Sequence, residues 1–140
     1  MLGPLGCGLQ TGAGAVLNVM QPTAGQSIAV YGVGGVGLAG LMAARIAGGD
    51  PIIAVDRLPS RLALARELGA THTLESRGSE TLAEIRAITG GGTDFALETS
   101  AVPAVFRLAV DGLRGLGTCA LVGSARARPE VSWAAGLCAA

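Results

Sequence analysis

A chain of 140 residues, half of them apolar, is long enough to bury the core of one domain. Only 14% of the residues are charged, and ten basic side chains balance ten acidic ones. That balance excludes the basic excess a nucleic-acid partner requires. All ten basic residues are arginine. The three cysteines, Cys7, Cys119 and Cys138, are odd in number and lack a short pairing pattern, which argues against a disulfide scaffold and for a reducing, cytoplasmic compartment. No charge precedes Arg45, and the stretch from Ser27 to Ala44 is apolar enough to suggest a membrane span. Glycines at 32, 34, 35, 37 and 40 divide it instead into a strand, a turn and a helix, so no membrane span is expected. Met1 does not open the basic and apolar runs of a signal peptide.

Residues 1–20 read as a glycine-rich leading segment, "PLGCGLQTGAG", running into a short helix over "AGAVLNVMQ". "SIAVY" (27–31) is a short β-branched apolar run and predicts a buried strand; "GLAGLMAARIAG" (37–48) predicts a helix closed by Gly48-Gly49. "PIIAVD" (51–56) is a second buried strand ending on a carboxylate. "LPSRLALARELG" (58–69) is a helix with proline at its start, Gly69 at its stop, and one apolar face of Leu62, Ala65 and Leu68. A short strand over 71–74 precedes an amphipathic helix over 79–92 with Leu82, Ile85 and Ile88 on one side. "DFALET" (94–99), "VPAVFRLAVDGL" (102–113) and "GTCALVG" (117–123) add a strand, a helix and a strand. Strands separated by single helices imply right-handed βαβ units, hence a doubly wound α/β domain with a parallel sheet. "SARARPEVSWAAGLCAA", after Gly123, offers no clear sixth strand, which a six-stranded dinucleotide fold would need; the expectation is that it lies beyond the end or that the chain is truncated.

Gly32, Gly34 and Gly37 match G-x-G-x-x-G directly after a strand and at the opening of a helix. The first glycine serves a tight turn, the second lets backbone approach a pyrophosphate, and the third lets helix and strand pack closely. The pyrophosphate would meet the free amides and positive end of the helix. Asp56 closes the next strand, 19 residues after Gly37, where an acid would bind the adenosine ribose hydroxyls. A carboxylate there repels a 2′-phosphate and favours NAD over NADP, although the adjacent Arg57 could accept such a phosphate or simply sit in solvent. In isolation the glycine pattern is weak in a chain with 23 glycines; the strand, helix and acid around it supply the context. A glycine turn that only packs is the competing interpretation.

Spread over five elements in order, "GCGLQTGAGAVLNV", "SIAVYGVGGVGL", "AARIAG", "IIAVD" and "ELGAT" resemble the cofactor domain of zinc-dependent medium-chain alcohol dehydrogenases across roughly residues 3 to 125. "PLGCGLQTGAG" is particularly like the aryl- and benzyl-alcohol branch. The resemblance implies that Cys7 ligates a catalytic zinc, that Thr11 faces the nicotinamide, and that Gly35 and Val36 present amides to the pyrophosphate, with Val36 also near the nicotinamide. It further implies that Asp56 binds the ribose with Arg61 beside it, and that Val122, before Gly123, offers a backbone contact to the carboxamide. Ser100-Ala101 depart from the pattern, since many members carry a glycine after the "ET" pair.

The same resemblance implies a larger enzyme. Family members begin with a GroES-like catalytic domain that carries a further cysteine and histidine for the zinc, together with the proton relay. Zinc acts there as a Lewis acid on the alcohol oxygen, and the alkoxide passes hydride to the nicotinamide. A catalytic zinc takes three protein ligands and an open position. Cys7 is accompanied here only by Cys119, inside a strand; Cys138; and His72, in a strand without paired ligand spacing. The expectation is a cofactor domain: 1–26 bordering an absent catalytic domain, 27–125 binding the dinucleotide, and 126–140 an irregular tail. Alone it would be inactive toward small alcohols and aldehydes and hold no zinc, and its charge-free leading segment would favour homo-oligomers. Competing readings are a stand-alone NAD(H)-binding redox sensor or interaction module, a zinc-free medium-chain reductase, which would lack the Cys7 ligand, and a methyltransferase, which Asp56 and the glycine spacing fit less well. A short-chain dehydrogenase would need a Tyr-x-x-x-Lys pair, and this chain has no lysine.

Overall fold

The computed structural model describes residues 3–123, with side chains from residue 6 onward. Five parallel strands, β1 (Ile28–Tyr31), β2 (Ile52–Asp56), β3 (His72–Glu75), β4 (Thr93–Glu98) and β5 (Leu113–Leu121), form one sheet in the order β3-β2-β1-β4-β5. Helix α1 (Gly3–Gly14) leads into the sheet, and α2 (Gly35–Ile46), α3 (Pro59–Leu68), α4 (Ser79–Thr89) and α5 (Pro103–Asp111) connect the strands. The doubly wound parallel sheet expected from the alternation of strands and helices is therefore present.

The alternation of side chains along each strand builds a core on both faces. Ile28 and Val30 of β1, Ile52 and Ala54 of β2 and Leu97 of β4 pack with Val16, with Leu41 and Ala44 of α2, and with Ala65 of α3. Ala29, Tyr31, Ile53, Val55 and Ala96 point the other way, onto Ile85 of α4 and onto Leu108 and Ala109 of α5. Strands covered on both faces read as continuous apolar runs, which is why 27–31 and 51–56 stand out in the sequence. The helix faces fall as expected: Leu62 and Leu68 flank the buried Ala65, and Leu82 and Ile88 flank Ile85. Pro59 occupies the first turn of α3, and Gly69, at φ 123°, ends it in a conformation that glycine tolerates.

Two stretches differ from the sequence expectation. The glycine-rich leading segment is helical from Gly3 to Gly14 and continues as a wider π-helical turn over Ala15–Met20. Glycine disfavours helix by about 1 kcal/mol per residue, so local propensity points the wrong way. Tertiary contact decides the outcome: a β-carbon on Gly12 would fall on the Val36 carbonyl oxygen and within 3.0 Å of the Gly40 amide. The missing side chains let α1 cross directly over the start of α2. Similarly, β5 begins at Leu113 rather than at residue 117. Leu113 pairs with Thr93, the chain then bulges through Leu116 at φ 67°, and regular pairing resumes at Phe95–Thr118. The expected tail over 126–140, with Cys138, and any sixth strand lie outside the described residues. No helix among the described residues is long and apolar enough to cross a membrane.

The crossing of α1 and α2 makes a paired prediction. Gly12→Ala should lower stability by about 2 kcal/mol in urea denaturation, because a backbone oxygen must move. Gly6→Ala, with nothing within 4 Å of its β-carbon, should be neutral or slightly stabilising. Equal effects at the two positions would contradict the close-contact account.

Candidate functional site: a cleft at the switch point of the sheet

Strand order reverses at β1, which pairs with β2 on one side and β4 on the other. Connections leave these strands toward opposite faces, and a crevice opens beyond their carboxyl ends. A cleft of about 490 Å3 occupies that place. Its floor is the β1–α2 turn, with Gly32, Gly34, Gly35 and Val36. One half is walled by Asp56, Arg57, Leu58, Arg61 and Ser76, beyond β2 and β3. The other is walled by Thr99, Ser100, Val102 and Val105, beyond β4.

The turn is shaped by sterics. Gly32 has φ 84°, and a β-carbon on Gly37 would fall on the Gly32 carbonyl oxygen. Gly34 and Gly35 have nothing within 4 Å of their missing side chains, so the space before the α2 N-terminus is open. Two side chains hold the turn. Asp56, only 8% exposed, accepts hydrogen bonds from the Val33 amide at 2.9 Å and the Leu58 amide at 2.9 Å, with the Arg61 guanidinium 3.7 Å away. From the opposite side, the Thr99 hydroxyl donates to the Gly32 carbonyl at 2.6 Å.

Of the residues singled out in the sequence, Gly32, Gly34, Gly35, Val36, Asp56, Arg57 and Arg61 share this cleft, and Gly37 packs beneath its floor. Cys7 and Thr11 are exposed on α1 and do not line it. Four residues apart, they share a helix face. A β-carbon on Gly8, between them, would lie 3.7 Å from Val36, which ties this part of α1 to the cleft floor. Val122 is half-buried just past β5, its amide donating to the Glu98 carbonyl at 2.9 Å. His72 is exposed on the edge strand β3, its Nδ1 sharing a hydrogen bond with the Thr71 hydroxyl at 2.9 Å. Among the described residues, no group of three His, Cys, Asp or Glu side chains could hold a metal ion.

Sequence reasoning missed Ser76, Thr99, Val102 and above all Glu98. Each stands at or just past the carboxyl end of a strand, a signal available once the strands are placed. Glu98 is fully buried. Its carboxylate accepts from the Ser100 amide at 2.7 Å, from the Ser100 hydroxyl, and from the Ala101 amide at 3.3 Å. Burial, with the Glu98 charge adding to it, pushes the Cys119 thiol up to about 11. The Tyr31 phenol is raised mainly by burial, and its hydroxyl has no hydrogen-bond partner among the described residues.

The parallel sheet, the switch-point cleft and the glycine turn define a Rossmann-like nucleotide-binding fold. The chain belongs to the zinc-binding dehydrogenase family, whose model matches residues 35–137. It is 44% identical over 124 residues to a geraniol dehydrogenase of Castellaniella defragrans, covering 88% of this chain and 33% of the relative. It is 38% identical over 131 residues to an S-(hydroxymethyl)glutathione dehydrogenase of Synechocystis, covering 91% of this chain and 36% of that protein. Among solved structures, benzyl alcohol dehydrogenase from Acinetobacter calcoaceticus superposes with a TM-score of 0.90 at 45% identity, over 96% of this chain and 37% of that one. The chain thus spans about a third of the length of the curated relatives it matches.

The site makes two predictions. Ala101 sits at φ 58°, where a β-carbon is strained, so Ala101→Gly should raise stability by roughly 0.5–1 kcal/mol in urea denaturation. The raised thiol gives the second. An unfolded thiol ionises near 9.0, the folded Cys119 near 11, so the neutral form contributes stability that is complete below pH 9 and lost as pH rises through 11. Denaturation midpoints should fall over that window, and less steeply in Cys119→Ala.

Proposed function

We propose that this chain binds a nicotinamide dinucleotide, NAD in preference to NADP, as the cofactor domain of an enzyme that moves hydride between NAD and a small alcohol or aldehyde. The observation that carries this reading is the two-sided cleft over the glycine turn, with an acid in one half and open space before a helix N-terminus at its centre. Gly34, Gly35 and Val36 would present the pyrophosphate with amides and the positive end of α2. Asp56 would accept the adenosine ribose hydroxyls, with Arg61 beside it. The buried carboxylate would disfavour a 2′-phosphate, and it stands closer to the turn than the exposed Arg57, whose positive charge in the same wall would soften that preference. The second nucleoside then falls against Thr99, Ser100 and Val102. When bound, the nicotinamide supplies the hydride acceptor. The alcohol-active relatives support the substrate class.

The zinc of the family is a different matter. Cys7 would offer one sulfur and Thr11 a hydroxyl on the same face of α1. The described residues do not supply a set of three ligands, so they do not fit a complete catalytic zinc site and no step in this chain is assigned to the metal. Leu9, Leu17 and Val19 are exposed on the uncharged segment that carries Cys7, an apolar surface suited to a catalytic domain supplying the other ligands.

NADH should bind with a change in its fluorescence, and Asp56→Ala should weaken NADH by about tenfold or more while affecting NADPH less. Equal losses for both would remove Asp56 from the ribose role, and an absence of NADH binding would overturn the reading. The purified chain should retain no stoichiometric zinc and oxidise no benzyl alcohol. One zinc per chain with turnover would refute its dependence on further ligands.

A further inference from the structure

Glu98 is the fully buried carboxylate that the dinucleotide reading leaves without a role. An isolated buried carboxylate is costly, and such a group persists where donors are arranged around it. Among the described residues, the three donors to the Glu98 carboxylate come from the two residues that follow Thr99: the Ser100 amide, the Ser100 hydroxyl and the Ala101 amide. They bend the chain sharply between β4 and α5 and hold Ala101 in its left-handed conformation. At the cleft the bend sets Ser100 and Val102 in the wall, whereas Thr99 is held on β1 by its own amide, which donates to the Tyr31 carbonyl at 2.9 Å. Among the described residues, the Glu98 carboxylate makes no hydrogen bond to the other half of the cleft, where Asp56 accepts from Val33 and Leu58.

We infer that Glu98 is a positioning residue for the nicotinamide half of the cofactor, acting through the 100–102 bend and leaving the adenylate half untouched. This rests on the dinucleotide reading above. A glutamine at 98 keeps the shape, but with its oxygen toward Ser100 its N–H faces the Ala101 amide, which then has no acceptor, so the bend relaxes. An alanine at 100 removes one of the three donors and leaves the buried carboxylate with its two amides.

The test compares NADH with ADP, which carries the adenosine and pyrophosphate but no second nucleoside, by titration of this chain. Glu98→Gln should weaken NADH by about tenfold and leave ADP within about twofold. Ser100→Ala should act in the same direction by a few-fold, and it decides the matter should Glu98→Gln fail to fold. Asp56→Ala should weaken both ligands. A parallel loss of NADH and ADP in the Glu98 and Ser100 variants, or unchanged NADH binding, would overturn the positioning role while the dinucleotide reading stands. Wild-type protein binding neither ligand would overturn both.

Discussion

The turn between β1 and α2 is held from two sides, and the rest of the site depends on that restraint. Asp56 reaches across from β2 to the Val33 amide, and Thr99 reaches from beyond β4 to the Gly32 carbonyl. Both neighbours of β1 therefore grip the same turn, one through an acceptor and one through a donor. Between them the backbone has little freedom, because Gly32 is left-handed and Gly37 packs against its carbonyl oxygen. Amides at a helix start recognise an anion only when they are fixed before it arrives. Here the fixing comes from the sheet, and the open space over Gly34 and Gly35 is what the fixing leaves exposed.

The same logic of omitted side chains operates behind the turn. Gly12 and Gly40 let α1 lie on α2, which brings Gly8 beside Val36 and leaves the neighbouring Cys7 and Thr11 exposed. A segment poor in intrinsic helix formers is thus helical because of what it touches. Gly8 and Gly12, four residues apart, fall on the face turned to α2, and Leu9, Leu17 and Val19 are exposed elsewhere on the segment. Cys7 is consequently an exposed thiol on α1, whereas Cys119 is a partly covered thiol in the sheet.

Most of the sheet was legible because β1 and β2 are covered on both faces and so read as unbroken apolar runs, while α3 and α4 carry clear single faces around Ala65 and Ile85. The glycine turn and Asp56 were legible because their spacing encodes a local strand–turn–helix unit followed by a neighbouring strand. The other wall of the cleft was not. Thr99 and Ser100 lie close to Gly32 only because β4 inserts beside β1, some 67 residues on in sequence. Glu98 read as one more acid at the end of a strand, since nothing local announces that its carboxylate is wholly buried and turned onto the two following amides. The start of β5 was misplaced for a related reason: its pairing with Thr93 and the bulge at Leu116 are properties of a partner strand.

By itself, then, the sequence determined the alternation of strands and helices, the phosphate-type turn and the acid that faces it, because each is written in neighbouring residues with a fixed period or spacing. Only the tertiary structure decided that the leading glycines form a helix against α2, that β4 supplies the second wall of the cleft, and that Glu98 anchors that wall. These depend on contacts between segments far apart in the chain, where burial and close approach outweigh local propensity.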